Sequence, residues 1–301
     1  MTVGPSNMRM FPGGHFLYQY FEGDLSPNLR MRFAPTVLTV TEGDAGGKYH
    51  MISNVVSDEW NHSPAGIELG ENEAHVWRAS LDQNEQELAN LAALLSQDEY
   101  RRALRYHRPV DRDHYIAGRG ILRTIISAYL ALSPGELRFT YNEYGKPAVS
   151  DDQNDRDLNF NLSHSNGLAL YAITRGRLVG IDIEYIREDF ATIDIAEHFF
   201  SKDEVRSLKA VPTDRRAEAF FNCWSRKESY IKAIGMGVSY PLDGFTVSLA
   251  PNDAPALLKV AADESEPSRW QMHELKAGKG YAASLIIEAS PVVLKQYQWI
   301  G

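Results

Sequence analysis

The chain has 301 residues, 44% hydrophobic and 24% charged, the balance of a globular protein with one large core or two smaller ones. A net charge of −9 argues against nucleic-acid binding, which needs a Lys/Arg excess, and the single cysteine, Cys223, excludes an internal disulfide framework and a Cys-rich zinc site. No run of about 18 apolar residues suggests a membrane span. No basic start followed by an apolar stretch marks a secretory signal, so a cytoplasmic location is expected.

Residues 1–72 hold nine of the 22 glycines and five of the 14 prolines, and only 36–40 reads as a short strand. An irregular N-terminal extension is expected there. From Glu73 the chain reads as a twofold repeat. Strand-like runs at 74–81 and 178–186 are each followed by a helix opened by Ser-x-Asp-Glu, at Ser96 and Ser201. Longer helices near 111–132 and 214–234 come next, then strands containing Phe139-Thr140 and Phe245-Thr246. The near-constant offset predicts a duplicated α+β unit with halves 73–176 and 177–290, a tail at 291–301, and a cleft between the halves for a ligand.

The candidate chemistry lies at five places. Between positions 98 and 123 stand seven arginines (101, 102, 105, 108, 112, 119, 123) against four acids, either a solvated helix face or a patch for a small polyanion. In the second half, strand alternation puts Val179, Ile181 and Ile183 on one face and Asp182 and Glu184 on the other. These are two solvated acids, or oxygen ligands for a hard cation. On the 214–234 helix, Ala217, Phe220, Phe221, Trp224 and Ile231 form an apolar stripe that also holds Glu228, one turn before Lys232. A carboxylate there is costly unless paired or metal-bound. Gly235 is expected to close the helix in the left-handed conformation. Gly145-Lys146-Pro147 reads as a turn, and 161–167 as a polar loop able to hold an anion through Ser163, His164 and backbone amides. Phe190, in a polar stretch, reads as an exposed contact for a protein partner.

Together, Gly180-Ile-Asp-Ile-Glu184, Trp224-Ser-Arg-Lys-Glu-Ser-Tyr-Ile-Lys232, Gly145-Lys-Pro147 and Asn161-Leu-Ser-His-Ser165 resemble, in kind and order, the motifs of the Sfp-type 4′-phosphopantetheinyl transferases. The resemblance spans about residues 74–290. It implies the family's α+β fold of two similar α/β halves about a pseudo-twofold axis. It implies transfer of phosphopantetheine from coenzyme A to a serine of an apo acyl or peptidyl carrier protein, with release of 3′,5′-ADP. Carried over by position, Asp182, Glu184 and Glu228 would bind Mg²⁺ and Lys232 would meet the diphosphate. Arg101, Lys146, Pro147, Ser163, His164 and Lys227 would surround the nucleotide. Glu228 or Glu204 would remove the serine proton, and Arg119 and Arg123 are structural candidates.

Two other readings compete. A metal-dependent nuclease would want its Glu and Lys on one strand, whereas here the lysine sits on a helix. A non-catalytic carrier-binding relative would leave three clustered carboxylates to repel one another. Two halves in one chain predict a monomer.

Overall fold

The computed structural model describes residues 60–64, 66–288 and 291–301, all within one compact unit that begins at Val56. The expected strand at 36–40 lies outside the described residues. The first part runs β1 (Asn61–His62), β2 (Glu73–Ser80), α1 (Glu85–Ala92), α2 (Gln97–Ala103), α3 (Pro109–Leu130), β3 (Phe139–Tyr141), β4 (Pro147–Val149), β5 (Leu158–Ser165) and β6 (Leu168–Arg175). The second runs β7 (Val179–Tyr185), α4 (Ile193–Phe199), α5 (Lys202–Ala210), α6 (Arg216–Ile234), β8 (Phe245–Val247), β9 (Leu257–Val260), β10 (Trp270–Glu274), β11 (Tyr281–Glu288) and β12 (Val293–Gln298). Among the described residues, no helix is long and apolar enough to cross a membrane.

The duplication is visible in the pairing. β6 lies antiparallel between β2 and β5, and β11 lies antiparallel between β7 and β10. The two sheets pack face to face. Ala74, Val76, Leu170 and Ala172 of the first meet Val179, Ile181, Ile183, Leu285 and Ile287 of the second in one buried cluster. On its other face the first sheet buries Trp77, Ala79, Leu81, Tyr171 and Ile173 against α3, while α6 lies along β7 and β11. The resulting order is helix, sheet, sheet, helix, in two similar α/β halves.

The same buried device holds each half together. The third helical residue of α2 and α5, Glu99 or Glu204, accepts from the backbone N–H of the capping serine, at 3.0 Å from Ser96 and 2.7 Å from Ser201. Glu99 then pairs with Arg119 Nε at 2.9 Å and Arg123 Nε at 2.6 Å, and Arg123 Nη1 donates to the carbonyls of Pro134 and Leu137. In the second half Glu204 pairs with Lys227 at 2.9 Å, and Lys227 Nζ donates to the carbonyls of Leu242 and Phe245.

Three expectations are corrected here. Residues 161–165 continue β5, and the turn is confined to Asn166 and Gly167, both at positive φ. The polar run is tolerated because β5 is the edge of its sheet and faces β7. The segment expected to be a tail contains β12, which lies parallel to β2 between it and β1. Phe190 is buried: its ring meets Phe220, Phe221 and Trp224, with the Arg187 guanidinium 5.1 Å above it. Its polar sequence neighbours hide an aromatic cluster supplied by α6.

Gly235 does close α6, at φ 71°. Gly180 has a different task. A Cβ there would lie 1.9 Å from the Ser229 carbonyl oxygen and 2.6 Å from the Ala233 amide nitrogen, both backbone atoms of α6. Gly180→Ala is therefore expected to cost at least about 3 kcal/mol, because a helix and not a side-chain end must give way. Thermal or denaturant unfolding of the purified variant would measure it, and a loss below about 1 kcal/mol would show that α6 can slide.

Candidate active site

β7 carries acids on one face because its other face is core. Val179, Ile181 and Ile183 fill the layer between the sheets, so alternation turns Gly180, Asp182 and Glu184 toward α6. The contact at Gly180 brings α6 close, and its 3.6-residue period presents Glu228 and Lys232 to the strand. Lys232 Nζ donates to Asp182 Oδ1 at 2.6 Å and to Ser163 Oγ at 2.9 Å, and Ser163 Oγ donates to the same Asp182 oxygen at 2.8 Å. Asp182 Oδ2 is buried and has no hydrogen-bond partner among the described residues.

The electrostatics follow from this crowding. Burial, then the neighbouring Asp182 carboxylate, raises Glu228 to about 7. The same two causes, in the same order, hold Glu184 well above the usual carboxylate range. Burial pulls the Lys232 ammonium down, but Asp182 and Glu228 more than offset it, so it remains a firm cation.

β5 and β7 are both sheet edges and share no backbone ladder. Side chains replace it. Asn161 Oδ1 accepts from the Ile181 amide at 2.8 Å, and Ser165 Oγ accepts from the Tyr185 amide at 3.0 Å and reaches Glu184 Oε2 at 3.4 Å. Alternate residues 161, 163 and 165 thus clamp the acidic strand against the first half. Ser163 orients Asp182, and Asn161 and Ser165 gain positioning roles that the sequence signals only through their alternation.

The remaining candidates divide. His164 is half-buried; burial, then Lys232 and His114, press its pKa down to about 4, so it is neutral at neutral pH. Lys146 Nζ donates to the carbonyls of Ala233, at 3.0 Å, and Val179, at 3.4 Å, and burial lowers its pKa to about 8. Pro147 opens β4 beside it. Arg101 lies exposed on α2. Glu204 and Lys227 are not brought to the site. Both are buried in the ion pair described above, and they bond to the capping serine, the Val247 amide and loop carbonyls. The expectation that Glu204 acts as a base and Lys227 holds the nucleotide is corrected accordingly.

Among the described residues, no three His, Cys, Asp or Glu side chains converge as a ready-made cage for an ion. The donor set nevertheless fits a hard divalent cation: three carboxylates, one with an orphaned buried oxygen, two whose pKa is raised first by burial and then by the charge of the third.

Residues 178–286 match the model of the 4′-phosphopantetheinyl transferase superfamily, and residues 77–175 match that of the 4′-phosphopantetheinyl transferase N-terminal region. The chain is 38% identical over 228 residues to the 4′-phosphopantetheinyl transferase HetI of Nostoc sp., covering 76% of this chain and 93% of that protein. It is 35% identical over 166 residues to the 4′-phosphopantetheinyl transferase Sfp of Bacillus subtilis, covering 55% of this chain and 71% of the relative. The chain belongs to the 4′-phosphopantetheinyl transferase family, in its Sfp type. Its activity is the transfer of phosphopantetheine to carrier proteins.

Removing one partner of a buried pair leaves an uncompensated charge, a loss of about 3–5 kcal/mol. Glu204→Gln and Lys227→Met should each lower thermal stability on that scale. The rate of transfer per folded molecule should stay within a few-fold of the parent. Full stability with a lost rate would return Glu204 to the chemistry.

Proposed function

We propose that the reaction runs at Asp182, Glu184, Glu228 and Lys232, with coenzyme A as donor, Mg²⁺ as the bound ion and a carrier-protein serine as acceptor. The observation that carries this reading is Asp182, held on one oxygen by Ser163 and Lys232 and left with the other buried and unpartnered. Asp182, Glu184 and Glu228 would hold the ion. When bound, it supplies charge neutralisation and a template for the diphosphate oxygens. Lys232 is the cation placed to meet phosphate charge, and its raised pKa keeps it protonated there. His164 offers a neutral ring, and Lys146 a cation at the start of β7, both suited to the nucleotide.

In the transfer, the serine Oγ–phosphorus bond forms as the bond from phosphorus to the oxygen of 3′,5′-ADP breaks. The leaving nucleotide takes the electron pair, and the serine proton passes to a base. Of the two acids expected for that role, Glu228 is in the site with a pKa near the working pH, while Glu204 is locked in its ion pair. One chain supplies both halves of the site, so a monomer suffices, and the metabolite donor is consistent with a cytoplasmic enzyme.

The direct test is mass gain on an intact apo-carrier incubated with coenzyme A, Mg²⁺ and enzyme. Asp182→Ala should lower the rate at least about 100-fold while the protein stays folded, since several kcal/mol of charge stabilisation go with the ligand. Near-normal transfer by the folded variant would remove the site from this position.

A second expectation concerns pH. Glu228 binds its proton more tightly folded, at about 7, than unfolded, at 4.5. Its contribution to stability is therefore full below the unfolded value and is lost as pH rises through the folded one. Without divalent ions, Glu228→Gln should melt above the parent at about pH 8 and level with it at about pH 4. Equal melting at both pH values would show that the carboxylate is not crowded.

A further inference from the structure

A cavity of about 460 Å³ lies just past the acidic strand, between the first turns of α6 and the β10–β11 connection. Ile186, Glu218, Asn222, Lys279, Tyr281 and Ala282 are among the residues that line it. Ala282 is the cross-strand partner of Glu184, so the cavity begins one side chain beyond the proposed ion site. Asn222 lines the cavity on α6, and its side-chain amide makes no hydrogen bond to another described residue. Both its donor and its acceptor are thus open to a molecule seated in the cavity. Its donor and acceptor together complement a peptide group.

The direction of the cavity matters as much as its lining. Along β7 the cations come first: Lys146 at Val179, then Lys232 at Asp182. Glu184 follows, and the cavity opens at Ile186. With the diphosphate at Asp182 and Lys232, as proposed above, the leaving nucleotide lies on the cationic side. Displacement at phosphorus places the attacking and leaving oxygens in line. The acceptor must therefore approach from the Glu184 side, where the cavity lies.

We infer that this cavity seats the acceptor polypeptide beside the modified serine. A carrier-protein segment presents a main-chain amide to Asn222 and an apolar side chain to Ile186 and Ala282, and Lys279 at the rim meets an acidic neighbour. A surface complementary to a carrier segment, and not to the donor, makes Asn222 a determinant of acceptor affinity alone.

The experiment uses the full chain with Mg²⁺, coenzyme A and an acidic apo acyl carrier protein. It measures kcat and KM for the carrier by intact-mass gain, and coenzyme A affinity by calorimetry. Asn222→Leu should raise the carrier KM about 10-fold, the scale of one buried hydrogen bond, with kcat and coenzyme A affinity within about twofold. Lys279→Glu, on the exposed rim and without a fold to disturb, should raise the carrier KM about three-fold through charge alone. Unchanged carrier KM in the folded variants overturns the assignment. So does a parallel loss of coenzyme A affinity in Asn222→Leu, which would put the pantetheine arm in the cavity. Coenzyme A binding and transfer that survive Asp182→Ala would instead bring down the diphosphate site, and the in-line argument with it.

Discussion

Three carboxylates, Asp182, Glu184 and Glu228, stand on facing elements, and the ammonium of Lys232 rests on one of them. Like charges brought near one another inside a protein repel unless a proton or a cation intervenes. The fold concentrates the conflict instead of dispersing it. Burial raises the pKa of two of the acids, a serine and a lysine donate to one oxygen of the third, and its other oxygen has no partner among the described residues. Under the proposed function, a small, hard cation would relieve that conflict.

Everything around the site serves to keep those groups together. Gly180 removes a side chain where the helix backbone must touch the strand, and that contact sets the height of Glu228 and Lys232 above Asp182. The edge strands β5 and β7, which share no ladder, are joined by Asn161, Ser163 and Ser165 through two main-chain amides and one carboxylate. Below them, the face-to-face packing of two apolar sheet surfaces fixes which side of β7 is free to be acidic. The acid pattern on the strand is thus the remainder after the core has taken its half.

Much of this was legible in the residues. The 104–106 spacing between the halves matched the order of elements, because both copies use the same Ser-x-Asp-Glu opening and the same long helix. Alternation placed Asp182 and Glu184 on one face, and helical spacing placed Glu228 with Lys232. What stayed hidden depended on partners distant in sequence. Polar residues 161–165 looked like a loop because nothing local shows that an edge strand faces another edge. Phe190 looked exposed because its neighbours are charged, whereas the cluster that covers it comes from Phe220, Phe221 and Trp224 on another element. Glu204 and Lys227 looked reactive because motif spacing cannot reveal that the two close on each other.

That ion pair also has its counterpart in the other half. Glu99 with Arg123 and Glu204 with Lys227 do the same work in each half, tying the capped helix to the long helix and to a loop carbonyl pair. The scaffold is therefore symmetric where it is structural. It diverges on the faces the long helices cover. Under α3 the first sheet presents Trp77, Ala79 and Leu81, a dry surface that needs no ligand. Under α6 the corresponding strand presents Gly180, Asp182 and Glu184. A surface of the first kind stabilises by area, at about 25 cal/mol per Å², and the second gives up that gain for charge. The apolar half bears the cost of the acidic one. It also lends the acidic half β5, the edge strand whose serine and asparagine side chains hold Asp182 and its strand in place.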